Sequence, residues 1–80
     1  MMKLSEAGIG DHLRVVEVSG NGRVSKRLTE MGLVPGVAVL VIRAAPFGDP
    51  FQIRLRGYDL ALRRSEAAGV IVDAEGGNEA

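Results

Sequence analysis

The chain has 80 residues, of which 46% are hydrophobic, and its ten basic residues balance its ten acidic ones. This length predicts one compact domain with one core, because chains divide into several domains only at about two to three times this size. The zero net charge excludes the strong positive field on which non-specific nucleic-acid binding depends. The absence of cysteine excludes disulfides, thiolate metal sites and a cysteine nucleophile.

The first predicted elements are a strand and the only helix. The segment from His12 to Val18 is rich in β-branched residues and follows a turn at residues 8–11, which predicts a strand. Val24, Leu28 and Met31 then recur at the spacing of one helical face. We therefore predict a short helix whose remaining side chains face solvent.

The end of this helix carries the residues of a helix stop followed by a turn. Gly32 stands just after the helix, where a left-handed conformation is needed. Leu28 and Leu33 occupy the two positions that make hydrophobic contact in a Schellman ending. Pro35-Gly36 suits the central positions of a type II turn. The chain is therefore predicted to leave the helix and turn at once into a strand.

Four further strands are predicted after this turn. Residues 37–44 are apolar on both faces. Residues 51–56 alternate strictly, with Phe51, Ile53 and Leu55 on the inward face. The remaining predicted segments are, in order, a turn at 57–59, a strand at 60–63, a capped turn at 65–68 and a strand at 70–72.

Together these elements predict a small, mostly β domain. Its fold is expected to be a five-stranded barrel with one short helix between the first and second strands, because closure removes the exposed edges of a flat sheet. The domain is predicted to span residues 1–73. An acidic tail at residues 74–80 is predicted to be disordered.

Short motifs follow one another along this predicted fold. They are Gly10-Asp11 before the first strand, RL-x-x-MGL-x-PG at 27–36, AP-x-GDP at 45–50, LALR at 60–63 and E-A-x-x-I/V at the final strand. From about residue 4 to residue 73, this order resembles the FeoA family of bacterial ferrous-iron transport. The resemblance implies an SH3-like barrel, related to the C-terminal domain of DtxR-type metal-dependent repressors.

The resemblance also implies a function. It indicates a non-enzymatic cytosolic accessory protein that acts with FeoB, the membrane Fe(II) transporter that carries a cytosolic GTPase domain. In that role the chain binds the cytosolic part of the transporter and modulates its assembly or its GTPase-linked activity. A cytoplasmic location agrees with the residues, because the longest apolar run, 37–42, is far too short to span a bilayer and the N-terminal residues lack a signal-peptide pattern.

The side chains predict no metal site, no cofactor and no catalysis. His12 is the only imidazole, and Asp11 beside it is expected on the opposite face of the strand, so the two cannot hold one ion together. His12 is at most a weak metal candidate. The serines stand at turn or cap positions, and residues 20–22 are not followed by the Lys and Ser/Thr of a phosphate-binding loop.

A partner-binding surface is the remaining functional feature. Two segments that are expected to be exposed carry apolar residues, namely the helix exit and the loop at 45–50. Their candidate contact residues are Met31, Leu33 and Val34 in the first and Pro46 and Phe47 in the second.

Each of these residues has a structural alternative. Met31 and Leu33 also suit the core, and Phe47 suits either an anchor for a partner or a lid on the barrel. Arg54 and Arg56, on the outward strand face, either steer an acidic partner or keep that face soluble.

Two other hypotheses stay open. An SH3-like peptide- or nucleic-acid-binding module outside iron transport is favoured by the five arginines of residues 43–64. The zero net charge and the small aromatic content, one tyrosine and two phenylalanines, oppose direct nucleic-acid binding. The other hypothesis is that the domain works as a homo-oligomer, which pairs through the same apolar corner, or that it simply stabilises a larger complex.

Overall fold

A computed structural model describes residues 1–19 and 22–75. The strands are β1, Met2–Lys3; β2, His12–Val18; β3, Ala38–Ala44; β4, Phe51–Leu55; β5, Tyr58–Leu62; and β6, Val70–Ala74. A short 3₁₀ helix covers Leu4–Glu6, and the α-helices α1 and α2 cover Arg23–Glu30 and Arg64–Ala67. In this described part of the chain, no helix is both long and apolar enough to cross a bilayer.

The six strands form one antiparallel sheet in the order β1-β6-β2-β3-β4-β5. The predicted mostly β architecture is confirmed, with one helix between the first two long strands. The strand count is six instead of five, because Met2 pairs with Val72 and Lys3 pairs with Ile71. Two residues are too few to show an alternating pattern, so only their pairing with β6 defines this strand.

The core is built from the side chains on one face of this sheet. Alternate residues of the long strands are buried, together with Leu28 of α1 and Ala67 of α2. Among the described residues, no polar or charged side chain is buried. The register shifts between Val15 and Glu17 in the β2–β6 pairing and between Val41 and Arg43 in the β3–β4 pairing. Such irregularities bend a strand, which allows one sheet to fold over one core.

The predicted helix stop and turn are confirmed. Gly32 has a φ of +107°, and the N–H of Leu33 donates to the carbonyl of Leu28 at 3.0 Å. The N–H of Gly32 donates to the carbonyl of Thr29 at 3.0 Å, which completes the Schellman pattern. Gly36 then has a φ of +94°, as the third residue of a type II turn requires.

The β4–β5 hairpin differs from the prediction. Leu55 pairs with Tyr58, so the turn consists only of Arg56-Gly57. Both turn residues have positive φ, 51° and 84°, as a type I′ hairpin turn requires. The predicted turn at 57–59 was therefore wrong, and Arg56 lies in the turn instead of on an outward strand face. Cross-strand pairing with β4 draws Tyr58 and Asp59 into the ladder, which overrides the turn preference of aspartate.

The predicted helical face is only partly buried. Leu28 is buried with 1% of its surface exposed, whereas Val24 on the same face is 44% exposed. Met31, just after α1, packs partly against the core. The core contact of α1 therefore comes mainly from its C-terminal half, and the first turn buries no apolar side chain fully.

The ordered chain continues past the predicted domain end at residue 73. Ala74 is the last residue of β6 and pairs with Leu13. The N–H of Glu75 donates to the carbonyl of His12 at 2.9 Å. These two residues extend the domain, and the rest of the predicted tail, residues 76–80, lies outside the described residues.

Candidate partner-binding surface

Phe47 is the most exposed large hydrophobic side chain of the described residues. It is 99% exposed, at the tip of the loop between β3 and β4. The N–H of Gly48 donates to the carbonyl of Ala45 at 2.7 Å, which closes a turn with Pro46 and Phe47 at its centre. The N–H of Ala45 donates to the carbonyl of Pro50 at 2.9 Å and closes the base of the loop. The aromatic ring is thus presented to solvent by a hydrogen-bonded loop and does not cover the barrel.

Arg64, the first residue of α2, fastens this loop to the rest of the domain. Its backbone N–H donates to the carboxylate of Asp49 at 2.8 Å, and its Nε donates to the carbonyl of Gly48 at 2.8 Å. The same guanidinium donates to the carbonyls of Ser5 and Ala7, at 2.8 Å and 3.2 Å. Three segments far apart in the sequence therefore meet at one arginine, which limits the motion of the loop that carries Phe47.

Arg64 also contacts the aromatic core. Its guanidinium carbon lies 4.3 Å from the centre of the Phe51 ring, within the range of a cation–π interaction. Because Phe51 is 1% exposed, this contact ties the arginine to the inner face of β4. The loop is thus anchored to the core as well as to the N-terminal segment.

A shallow cleft lies beside the loop. It has a volume of about 230 Å³ and is lined by residues from β3, the loop, β4 and β5, namely Arg43, Ala44, Ala45, Pro50, Phe51, Gln52 and Ala61. Most of these side chains are apolar, and the polar ones are Arg43 and Gln52. Cavities for drug-sized ligands are usually larger, about 300–1,000 Å³. The cleft is therefore suited to one or two side chains of a protein partner.

The helix exit contributes less surface than predicted. Leu33 has 0% of its surface exposed, because the Schellman ending turns this side chain into the core. The predicted contact of Leu33 with a partner is therefore wrong. Met31 and Val34 are half-buried and pack against the core. The carbonyl of Met31 accepts a hydrogen bond from the hydroxyl of Tyr58, which fixes the helix exit against the β4–β5 hairpin.

The two predicted surface arginines differ in their environment. Nε of Arg54 donates to the carboxylate of Asp59 at 2.8 Å, and Gln52 donates to the same carboxylate at 3.0 Å. The hydrogen bond from Arg54 lowers the pKa of Asp59 from its usual value, and the same bond raises the pKa of Arg54. Arg54 is therefore already paired within the sheet, whereas Arg56 is exposed at the tip of the hairpin.

The structure separates the predicted contact residues into two places. Phe47 precedes β4 at one end, and Met31 contacts Tyr58 at the other end of the same strand. The four residue steps from Phe51 to Leu55 correspond to about 13 Å. A single small side chain cannot bridge this distance, so the loop and the helix exit are separate parts of any contact surface.

The surroundings of His12 contain few metal ligands. Its side chain is exposed at the start of β2, and the carboxylate of Asp11 accepts the backbone N–H of Gly8 at 2.8 Å. Across residues 1–19 and 22–75, no three His, Cys, Asp or Glu side chains are grouped so that they could hold a metal ion.

Sequence reasoning missed two residues that organise this surface. The sequence carried a signal for Tyr58, because Arg56-Gly57 between two apolar runs is the length of a two-residue hairpin turn. No local pattern distinguished Arg64, since its partners lie 15 to 59 residues away in the chain. Its role depends on long-range packing.

The chain matches known proteins over nearly its whole length. The family model of the FeoA domain matches residues 2–74. A Fe(2+) transport protein A/Fe(2+) transporter FeoB fusion protein of Porphyromonas gingivalis is 42% identical to the chain over 72 residues. That match covers 90% of this chain and 8% of the fusion protein, so the chain spans only a small part of this relative.

Solved structures agree with the fold. The FeoA protein from Chlorobium tepidum has a TM-score of 0.87 at 42% identity, over 98% of this chain and 74% of that one. FeoA from Stenotrophomonas maltophilia, an SH3 domain protein solved in complex with zinc, has a TM-score of 0.80 at 34% identity, over 91% of each chain. IdeR of T. acidophilum, at 13% identity, has a TM-score of 0.81 over 92% of this chain and 34% of that one, a likeness of fold alone. The predicted SH3-like fold is confirmed, and the chain belongs to the FeoA domain family.

Proposed function

We propose that this chain is a non-enzymatic, cytosolic accessory protein of ferrous-iron transport. In this role it binds the cytosolic part of a FeoB-type transporter and modulates the assembly or the GTPase-linked activity of that transporter. Family membership supports a place in Fe(II) transport. The Porphyromonas gingivalis relative supports the choice of partner, because fusion with FeoB keeps the two parts together in one chain.

The observation that carries a binding role is the exposure of Phe47. Burying a phenylalanine side chain contributes about 1.5–3 kcal/mol, yet Phe47 is 99% exposed. A loop fastened at Asp49 and Gly48 by Arg64 loses little further conformational entropy on binding. Phe47 is thus preorganised as an anchor, as aromatic hot-spot residues in interfaces commonly are.

The proposal includes no catalytic step. The described side chains contain one histidine, which is exposed, and no buried polar or charged group. Covalent and acid–base catalysis need a nucleophile and a general base within hydrogen-bond reach of one another. A binding role therefore explains the exposed features of the domain better than an enzymatic role does.

Titration of the isotope-labelled domain with a recombinant cytosolic domain of a FeoB-type transporter tests the proposal. We expect shift changes at residues 45–50 and a binding constant that weakens at least about tenfold in Phe47→Glu, since about 1.4 kcal/mol corresponds to tenfold. Val24→Glu is the matched control, because Val24 is also an exposed apolar residue, at 44%, and lies on α1. Absence of binding by the wild-type domain, with and without guanine nucleotide, would contradict the proposed function.

A further inference from the structure

The outward face of β3, β4 and β5 carries a row of three side chains beside the Phe47 loop. Arg43 pairs across the sheet with Gln52, and Gln52 pairs with Ala61. All three line the 230 Å³ cleft together with Ala45 and Pro50 of the loop. The loop that carries the exposed Phe47 ring therefore also forms part of the cleft wall.

The charge on this surface is positive. Asp59 is the only acidic residue in β3, β4 and β5, and it forms a salt bridge with Arg54 at 2.8 Å. Within the described part of the chain, Arg43 has no carboxylate at salt-bridge distance. Asp49, in the adjoining loop, directs its carboxylate to the backbone N–H of Arg64. The charge of Arg43 contributes to the lowered pKa of Asp59, but that carboxylate is bonded to Arg54. Arg43 is thus a cation at the cleft that forms no ion pair among the described residues.

The lining of the cleft defines what it accepts. The alanine and proline side chains form apolar walls, and exposed Arg43 contributes the only charge to the lining. An arginine pairs best with a carboxylate, which it can bind through two N–H groups. The complementary ligand is therefore an aliphatic side chain next to an acidic one.

From this geometry we infer that the cleft is the docking site for an acidic segment of the transporter's cytosolic part, with an aliphatic side chain in the cleft and a carboxylate on Arg43. The inference rests on the proposed function and adds the location and the chemistry of the contact. Phe47, on the same loop as Ala45 and Pro50, packs on the flanking part of the segment. The exposed side chain of Arg43 also steers the acidic segment during encounter.

The experiment compares wild-type, Arg43→Glu and Arg23→Glu domains in binding to the recombinant cytosolic domain of a FeoB-type transporter. Arg23 is the matched control, because it is an exposed arginine on α1. We expect Arg43→Glu to weaken binding about tenfold or more and Arg23→Glu to leave it within about twofold. Raising the ionic strength from about 0.05 M to about 0.3 M should weaken wild-type binding more than Arg43→Glu binding. Equal melting temperatures verify that the substitutions leave the fold intact.

The outcomes separate the inference from the function on which it rests. If Arg43→Glu binds as tightly as the wild type, the docking site is wrong while the accessory function stands. If the wild-type domain does not bind, both are wrong. Shift changes at residues 43–45, 52 and 61 that depend on the concentration of the domain alone would place a second copy of the chain in the cleft, which also overturns the inference.

Discussion

Replacement of Arg64 by alanine should destabilise the domain and release the Phe47 loop. The guanidinium donates to the carbonyls of Gly48, Ser5 and Ala7 and stacks 4.3 Å above the Phe51 ring. Alanine removes all of these contacts at once. It keeps the bond from the backbone N–H of residue 64 to Asp49, so the start of α2 retains one tie to the loop.

The expected loss follows from these contacts. Because Arg64 is only half-buried, water can solvate the released carbonyls. Each hydrogen bond is therefore expected to contribute about 0.5–1 kcal/mol to the free energy of unfolding, the lower part of the usual range. Three such bonds and a cation–π contact of about 0.5–1 kcal/mol add to about 2–4 kcal/mol. A domain of this length is expected to have a free energy of unfolding of about 4–12 kcal/mol. The loss is therefore a large part of the total.

Urea unfolding followed by far-ultraviolet circular dichroism measures this loss. We expect the midpoint for Arg64→Ala to fall by about 2 M or more, given a slope near 1 kcal/mol per M for a small domain. The midpoint of Arg64→Lys should lie between those of the wild type and Arg64→Ala. The lysine ammonium keeps the charge but lacks the planar guanidinium that reaches both the loop and the N-terminal segment. Arg23→Ala is the control, since Arg23 is exposed on α1.

Amide hydrogen exchange shows whether Arg64 stabilises the loop between β3 and β4 in particular or the whole domain equally. The N–H groups of Ala45 and Gly48 should exchange faster in Arg64→Ala than in the wild type, relative to those of central strands such as β3. A change of less than about 1 kcal/mol in the free energy of unfolding, with unchanged exchange in the loop, would show that Arg64 does not fasten the loop.

Two further predictions concern the helix exit and the hairpin. Gly32→Ala should destabilise the domain by about 2 kcal/mol or more, because a Cβ there would lie 2.7 Å from the Tyr58 hydroxyl at a φ of +107°. Gly36→Ala is the control, because Gly36 also has a positive φ but has open space around its Cβ. Urea unfolding of both variants separates the cost of the backbone conformation from the cost of the contact with Tyr58. Equal losses of unfolding free energy in the two variants would show that Tyr58 contributes nothing. Arg54 lowers the pKa of Asp59, so the stability from this pair is full above the unfolded-state pKa and is lost as pH falls through the folded-state pKa. A carbon-13 titration of the Asp59 carboxyl should show a lowered midpoint that rises in Arg54→Gln, and an unchanged midpoint in that variant would contradict the pairing.

Local interactions made much of the fold predictable. The helix exit needs a residue that tolerates positive φ followed by a leucine that returns to the core, and Gly32 and Leu33 supply both within two positions. The strict alternation of β4 likewise predicted which of its side chains are buried, because successive residues of a strand point to opposite faces. The helix stop and the alternating burial of β4 depend on residues that are close in the chain, so the spacing of residue types in the sequence is enough to predict them.

The tertiary structure decided the features that depend on distant residues. Arg64 acquires its role only because folding brings the carbonyls of Ser5 and Gly48 to one guanidinium. Arg54 was predicted as an outward charge, yet pairing of β4 with β5 places Asp59 opposite it and neutralises it. Among the residues that the structure describes, Arg43 has no such ion-pair partner, and this difference between two similar arginines does not follow from their local sequence.

Backbone preferences and periodicity were therefore sufficient to predict the presence and order of the five longer strands and the helix stop at Gly32. Long-range packing set the other features: the ring of Phe47 is exposed on a loop that Arg64 fastens, and Arg43 forms no ion pair among the described residues beside an apolar cleft. Burial and charge compensation depend on which surfaces meet in space, and those surfaces come from segments that are far apart along the chain.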